Sequence, residues 1–265
     1  VRGCGFRRKA TVSSEQVRIT HGVQALGAID RMSWRTRPDY PPVAEHRWEK
    51  LLFLHQQVAP DLIRPLVPPE LELDLWQDQA WVSIVAFSMP YVRPRWLPKW
   101  ISCRFHELNV RTYVLHENKP GVYFFSLNAN SRLAVWWARR FWKLNYVYAH
   151  IEMSPLNSVW RYRCHRPRCP QFEATYKVGP PLGKAKPDSL EFFLVERYLL
   201  FAPKDGVVHQ ARVYHAPYDL YEVQLGLLED GISPADGLPS MTTDSVLAHY
   251  CPRVDVEVFA PREKH

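Results

Sequence analysis

HELNVRTYVLHENKPGVYFFSLNANSRLAVWWARRFWKLNYVYA, residues 106–149, packs two strand patterns, a helix and most of the chain's unusual polar residues into one block. From His106 to Val114 the residues alternate, and a strand sends successive side chains to opposite faces. Leu108, Val110, Thr112 and Val114 fall on one side, and Glu107, Asn109, Arg111 and Tyr113 on the other. A row of acid, amide, guanidinium and phenol is foreign to a dry core. It suits either a solvated face or the wall of a polar pocket.

The turn formers Asn118, Pro120 and Gly121 predict a hairpin to a second strand over Gly121–Asn128. Strict alternation there puts Tyr123, Phe125 and Leu127 on one face and Val122, Phe124, Ser126 and Asn128 on the other. The period then changes. Asn130 or Ser131 is placed to cap a helix in which Leu133, Trp136, Trp137 and Arg140 recur at helical spacing, ending near Lys143. A β-rich NYVYAHIEM follows.

These segments, with WEKLLFLHQQV before them and SLEFFLVERYLLF after them, resemble the YqjF-like family of bacterial proteins of unknown function. The similarity runs from about Trp48 to about Tyr218 and is carried by ELNVRTYV, PGVYFFSLNANSRLAV and SLEFFLVERY. That family is similar, more distantly, to acetoacetate decarboxylase, whose pattern GRE, two or three residues, then FPKK supplies a desolvated lysine that forms a Schiff base with a β-keto acid. ARRFWKLNYVYA aligns with it without a gap. Arg139 then matches the arginine, Asn145 the proline, and Tyr146 and Val147 the two lysines, so the nucleophile is missing; Glu107 matches a glutamate of the decarboxylase site. The resemblance implies an α+β, mainly β fold: a curled antiparallel sheet forming a decarboxylase-like barrel with a few short helices.

Composition narrows the classes further. At 265 residues and 46% hydrophobic, the chain can bury one good core, and ten Trp suit a curved sheet core or a lined cavity. The formal charge is +7, but residues 1–37 hold eight Lys and Arg against Glu15 and Asp30. The remaining body is nearly neutral overall, which speaks against a nucleic-acid partner. Five cysteines, scattered at 4, 103, 164, 169 and 251, make no disulfide framework and fit a reducing cytoplasm. No apolar run is long enough for a membrane helix, and no membrane partner is expected. Residues 1–43 read as a disordered basic tail ending in the proline-rich linker PDYPPV, with Met32 as an alternative start, and residues 44–265 as a single domain.

Within that domain, Trp48–Val58 reads as a strand and Pro60–Pro69 as a short helix started and stopped by prolines. LELDLWQ and AWVSIVAFSM read as a hairpin around Gln77–Gln79. PYVRPRWLPKWISCR interleaves Arg93, Arg95, Lys99 and Arg104 with Trp96 and Trp100. Such a loop can stack bases or meet a membrane, but a proline-stiffened rim over the barrel mouth is the preferred reading. CHRPRC, Cys164–Cys169, falls short of a four-ligand zinc pattern, so no metal is expected. PPLGKAKPDS reads as a mobile loop, SLEFFLVERYLLFA as a strand, VVHQARVYHAP as a last clear strand and Leu220–Asp230 as a closing helix. The pattern after Pro234 is too weak to place.

For Glu107, Asn109 and Arg111 two readings stand about even. One is a ligand-facing row in which Glu107 acts as acid or base and Arg111 and Arg139 hold a carboxylate, with Asn109 and Tyr146 adding hydrogen bonds. The other is an internal ion-pair network joining Glu107 to Arg111 or Arg139. Glu191, Glu196 and Arg197 invite the same two readings, with the structural one ahead. His106, His150, His209 and His215 read as ordinary hydrogen-bonded residues. No phosphate loop, HExxH or GxSxG is present, and no cofactor is implied. The sequence therefore leaves a small-molecule enzyme acting without a Schiff base and a non-catalytic binding or sensing protein both open, and self-association undecided.

Overall fold

Residues 29–142 and 144–260 are described by the computed structural model of the chain. Thirteen strands share one sheet, numbered β1 to β13 in chain order. They are Ala44–Val58, Glu72–Leu73, Ala80–Pro94, Cys103–His116, Lys119–Ala129, Tyr146–Tyr148, His150–Leu156, Val159–His165, Phe172–Lys184, Leu199–Lys204, Val207–His215, Asp219–Asp230 and Val246–Phe259. The hydrogen-bonded order β1-β3-β4-β5-β10-β11-β13 returns to its start because β1 also pairs with β13 over most of its length. From β13 the sheet continues through β12, β9, β8 and β7. Most pairings are antiparallel as expected, but β5 pairs in parallel with both β10 and β6, so the sheet is mixed.

The curl creates two cores. One joins Leu52, Leu54, Val82, Ile84, Leu108 and Val110 of the ring to Tyr162, Phe172, Ala174 and Tyr176 of β8 and β9, which cover the ring from outside. The other lies within the ring and joins Leu51, Phe53, Val85, Phe87, Tyr113, Val122 and Cys251. Alternation along β1, β3 and β4 therefore sorts side chains between an outer and an inner core, and both faces are buried. Gly121 makes the β5–β10 pairing possible: a Cβ there would lie 2.5 Å from the Phe201 ring and 2.7 Å from the Leu199 carbonyl.

Among the described residues four short α-helices accompany the sheet: α1 (Pro60–Ile63), α2 (Arg132–Trp137), α3 (Leu190–Val195) and α4 (Ile232–Ala235). The expected hairpin at Gln77–Gln79 is a tight turn, with Gln77 and Asp78 at φ 49° and 60° and Trp76 bridged to Gln79. The short strand before it, β2, pairs with β4 and not with β3. Among the described residues, no helix is long and apolar enough to cross a membrane.

Several expectations are corrected. SLEFFLV is helical: the Ser189 hydroxyl accepts from the Phe192 amide at 3.2 Å, and a helix buries Phe192 to Val195 together where a strand would split them between faces. Leu220–Asp230 is strand β12, because backbone pairing with β9 outweighs a leucine spacing that mimics a helix. Pro180–Lys184, expected in a loop, extends β9 against the start of β12. Strand β13 went unplaced, although Val254, Val256 and Val258 alternate with Asp255 and Glu257. In β5 a bulge at Phe125 shifts the register, so that Val110 faces Ser126 while Arg111 faces Phe124. Ser126 and Asn128 thus join the face of Tyr123, and Leu127 joins that of Val122.

The expected disordered tail is only in part open to description, since residues 1–28 lie outside the described residues. Residues 29–43 run against the domain. Arg31 grips Asp74 with bonds of 2.7 and 2.6 Å, Arg37 pairs with Glu257, and the Tyr40 ring meets Phe259 edge-on at 5.2 Å. Charge alone made this segment look unstructured, but Arg31 and Arg37 have carboxylate partners and the Arg35 guanidinium lies over the Phe192 ring at 5.5 Å.

Candidate functional site

The inner face of β4 carries Glu107, Asn109, Arg111 and Tyr113, all buried. The pattern read from the sequence is therefore a wall of the ring's interior. Glu107 stands at one end, where its carboxylate accepts from the Tyr146 hydroxyl at 2.6 Å and from the Asn109 amide at 3.2 Å. Burial pushes its pKa up to about 7, against those two hydrogen bonds, which pull it down. Tyr146 comes from β6, which runs parallel to β5 and delivers its side chain to β4. Burial and the nearby Glu107 carboxylate hold its phenol well above the usual tyrosine range. The pair is a carboxyl that titrates near neutrality beside a hydroxyl that stays protonated.

Of the two readings, the ion-pair network finds no support among the described residues, where Glu107 pairs with neither Arg111 nor Arg139. On a strand, positions four apart are separated by about 13 Å, and Asn109 lies between them. Arg111 instead donates to the Leu194 carbonyl at 3.2 Å. That carbonyl, on α3, also accepts from the Tyr113 hydroxyl at 2.9 Å. From Tyr113 a chain of short contacts runs to the Ser83 hydroxyl at 2.6 Å and on to His55 Nδ1 at 2.7 Å. The His249 ring lies 5.6 Å from that of His55. His215 packs between Tyr198 and Tyr218, with centroids at 4.8 and 4.3 Å. Burial lowers the pKa of all three imidazoles: His215 falls to about 4, and His55 falls well below its usual value with His249 and Arg111 adding to the effect.

Several of these buried groups have polar atoms without a partner among the described residues. They are Asn109 Oδ1, Arg111 Nε, His55 Nε2, His215 Nε2 and His249 Nδ1. Buried polar atoms are nearly always satisfied. These five lie on the inner face; eight further buried polar atoms, among them Tyr176 OH, Arg197 Nη2 and Ser233 Oγ, also lack a partner among the described residues.

Arg139 is not part of this interior. It is exposed at the π-helical turn after α2, and its Nε donates to the Tyr146 carbonyl at 2.5 Å. It buttresses the strand that carries Tyr146. Ser131 caps α2 as expected, with its hydroxyl accepting from the Ala134 amide, whereas Asn130 uses its side chain on the His106 amide and the Ile151 carbonyl. Arg197 is buried but paired with Asp74 at 2.6 Å, and Glu196 accepts from the Tyr198 hydroxyl and the Tyr218 amide. Glu191 lies on α3 and joins no such network. Cys164 is buried and Cys169 partly so, and among the described residues no group of metal-ligating side chains is assembled.

His55, Ser83, His249 and Tyr218 were absent from the sequence-derived set. His55 and Ser83 share the strand parity of inner residues such as Phe53 and Val85, so alternation could have found them. His249 and Tyr218 could not have been found without placing β13 and the segment before β12.

Comparison with known proteins agrees with this architecture. The model of DUF2071, described as an uncharacterized conserved protein family, matches residues 45–255. The uncharacterized protein YqjF of Bacillus subtilis (strain 168) is 35% identical over 230 residues, covering 86% of this chain and 94% of that protein. Among solved structures, the enduracididine biosynthesis enzyme MppR complexed with pyruvate superposes with a TM-score of 0.58 at 14% identity, covering 84% of this chain and 90% of its own. An acetoacetate decarboxylase-like enzyme from Sphingomonas wittichii RW1 gives 0.56 at 13% identity, covering 85% and 94%. The fold is thus acetoacetate decarboxylase-like, and the chain belongs to the DUF2071 family of uncharacterized conserved proteins.

Proposed function

We propose that the ring interior binds a small anionic molecule, a carboxylate, and that Glu107 and Tyr146 move a proton on it. One observation carries this reading: Asn109 and Arg111, buried on one strand face, each present an unpartnered polar atom, and Asn109 hydrogen-bonds a carboxyl that titrates near pH 7. Arg111 supplies the charge and the fork that a carboxylate needs. Asn109 accepts from a ligand hydroxyl or amine, and Glu107 acts as acid or base near neutrality. The protein bound in the MppR structure holds pyruvate, a ligand of this size and charge.

The reading leaves out a lysine imine. Tyr146 occupies the position that aligns with the first decarboxylase lysine and cannot form one. Among the described residues no lysine is buried, so none is in the desolvated state that lowers an amine's pKa; Lys143 lies outside the described residues. Calorimetric titration with acetoacetate, pyruvate and related acids, followed by borohydride trapping and mass spectrometry, tests both parts. Saturable binding that Arg111→Met weakens by about tenfold to a hundredfold, without a reduced adduct, is expected. A stoichiometric adduct on Lys143 with release of carbon dioxide restores the decarboxylase reading, and absence of binding by every acid removes the site.

A second reading, a non-catalytic binding or sensing protein, draws on one feature: both Glu107 oxygens are already engaged by Tyr146 and Asn109. Binding that survives Glu107→Gln, with no ligand consumed by the wild-type protein, would favour it.

A further inference from the structure

Two stretches far apart in sequence meet at one end of the molecule. The β3–β4 loop, Arg95 to Ser102, comes to lie against α2 and its π-helical turn, with Trp96 stacked on Trp137 at 6.0 Å. Trp96, Trp100, Leu133 and Trp136 expose between 57% and 83% of their surface. Taken alone, the loop reads as a rim. Joined to α2, it is a broad apolar patch of the kind that marks an interaction surface.

The patch is also the positive pole of the chain. Residues 95–104 and 131–140 hold Arg95, Lys99, Arg104, Arg132, Arg139 and Arg140, six cations with no acid in either stretch, while Arg93 just before them is buried and paired with Glu45. With +6 in residues 1–37 and +7 overall, the rest of the sequence is net negative by five. Between α2 and β6 a groove of about 420 Å³ is lined by Arg132, Val135, Trp136, Arg139, Arg140 and Tyr148. The Arg132 guanidinium is steadied there over the Tyr148 ring at 4.2 Å.

We propose that this surface docks the protein on an anionic phospholipid bilayer, with the arginines of the groove at the headgroup phosphates and Trp96, Trp100, Leu133 and Trp136 in the interfacial layer. Three features favour that occupant. Tryptophan beside arginine and lysine is the composition of a membrane interface, where the indole body is apolar and its N–H stays wet. Leu133 and Ile101 add aliphatic surface, which buries in lipid but offers nothing for a base to stack on, and Trp96 already spends a ring face on Trp137. A second copy meeting patch to patch would bring the two positive poles together, which charge repulsion opposes.

The test is flotation of the full chain with phosphatidylcholine vesicles made with and without phosphatidylserine, alongside the exposed-residue variant Trp100→Ser/Trp136→Ser. Binding to the anionic vesicles only, weakened by roughly tenfold or more in the variant through lost apolar burial, is expected. So is quenching of wild-type tryptophan fluorescence by brominated lipid. Circular dichroism of the variant checks that it folds. Absence of flotation overturns the proposal. Flotation unchanged in the variant overturns it too, since the basic residues 1–37 would then be the anchor. Binding of single-stranded DNA, or concentration-dependent self-association, that the variant loses while vesicles are ignored would assign the patch to another partner.

Discussion

Two arginines in this protein, Arg166 half-buried and Arg111 buried, live in opposite circumstances. Arg166, on the outer side of the ring, donates from Nε to Asn128 at 3.0 Å, from Nη1 to Asp236 at 2.8 Å and from Nη2 to Ser126 at 2.9 Å. Ser126 donates to the other Asp236 oxygen, and the Asn128 amide donates to the Leu108 carbonyl. Every group in that network has a protein partner, and together they tie β5 and α4 to the turn after β8. Arg111, on the inner side, has one carbonyl and an orphaned Nε. A polar set that serves the fold uses up its donors on protein. The inner set keeps some in reserve, and what sets it apart is several such atoms on one face, since Arg197 Nη2 also lacks a partner beside its ion pair with Asp74.

Substitution should expose the contrast most strongly in stability. Arg166→Ala leaves the largely covered Asp236 carboxylate without its counter-charge and should cost about 1.5 to 3 kcal/mol in urea unfolding. Arg111→Met removes a cation that has no carboxylate partner and fills its volume, so the lost bond to Leu194 should cost no more than about 1 kcal/mol. Equal losses at the two sites would erase the distinction.

In ligand binding the order reverses. Arg111→Met should weaken a small carboxylate by about 1.5 to 3 kcal/mol, on the order of tenfold to a hundredfold in Kd, the range of a hydrogen bond to a charged group. A conservative Arg166→Lys, checked for folding, should leave Kd unchanged. Calorimetry on the two variants measures both.

What could be read in advance follows the reach of each signal. Alternation in β4 is local, and it correctly placed Glu107, Asn109 and Arg111 on one face. The bulge at Phe125 is invisible to alternation, because it arises from pairing with β4 and from the close approach of β10 at Gly121. The alternative of a Glu107–Arg111 pair rested on the shared face alone; on a strand an interval of four carries two residues about 13 Å apart. Tyr146 was flagged only through the alignment with a lysine, since nothing local in NYVYA signals that its hydroxyl reaches Glu107. The interior histidines needed the tertiary ring itself, and Leu133 and Trp136 kept helical spacing while facing outward.

Acidity sharpens the comparison further. Glu107 has a folded pKa of about 7, above the ordinary value of 4.5, so the folded protein binds its proton more tightly than the unfolded chain does. Its contribution to stability is present below the unfolded pKa and is lost as pH rises through 7. Glu107→Gln cannot ionise, so its Tm relative to wild type should climb between pH 5 and pH 9. The interior histidines act in the other direction. Their folded pKa values are depressed, so both proteins should lose stability as pH falls below the ordinary imidazole value of 6.5. A difference between the two melting profiles that stays flat with pH would mean Glu107 is not held in a dry site.

The smallest effect discriminates most finely. Tyr146→Phe removes one hydroxyl and leaves the ring to pack as before. That hydroxyl donates to Glu107 at 2.6 Å and favours the charged carboxylate over the neutral acid. Without it, burial acts on Glu107 with only Asn109 in opposition, so the carboxyl pKa should move higher still from about 7. The stability cost should be about 1 kcal/mol below pH 7, where Glu107 is protonated and can itself donate to a neighbour. Above pH 7 it should grow, because the carboxylate has then lost its best donor. Carbon-detected titration of labelled glutamate reads the pKa directly, and any proton-transfer activity should show its basic-form limb displaced to higher pH by the same amount. A Glu107 pKa that falls, or holds still, in Tyr146→Phe would mean that the two side chains do not share a proton-carrying contact. The inner wall would then retain Arg111 and Asn109 as a binding surface with no acid–base pair beside them.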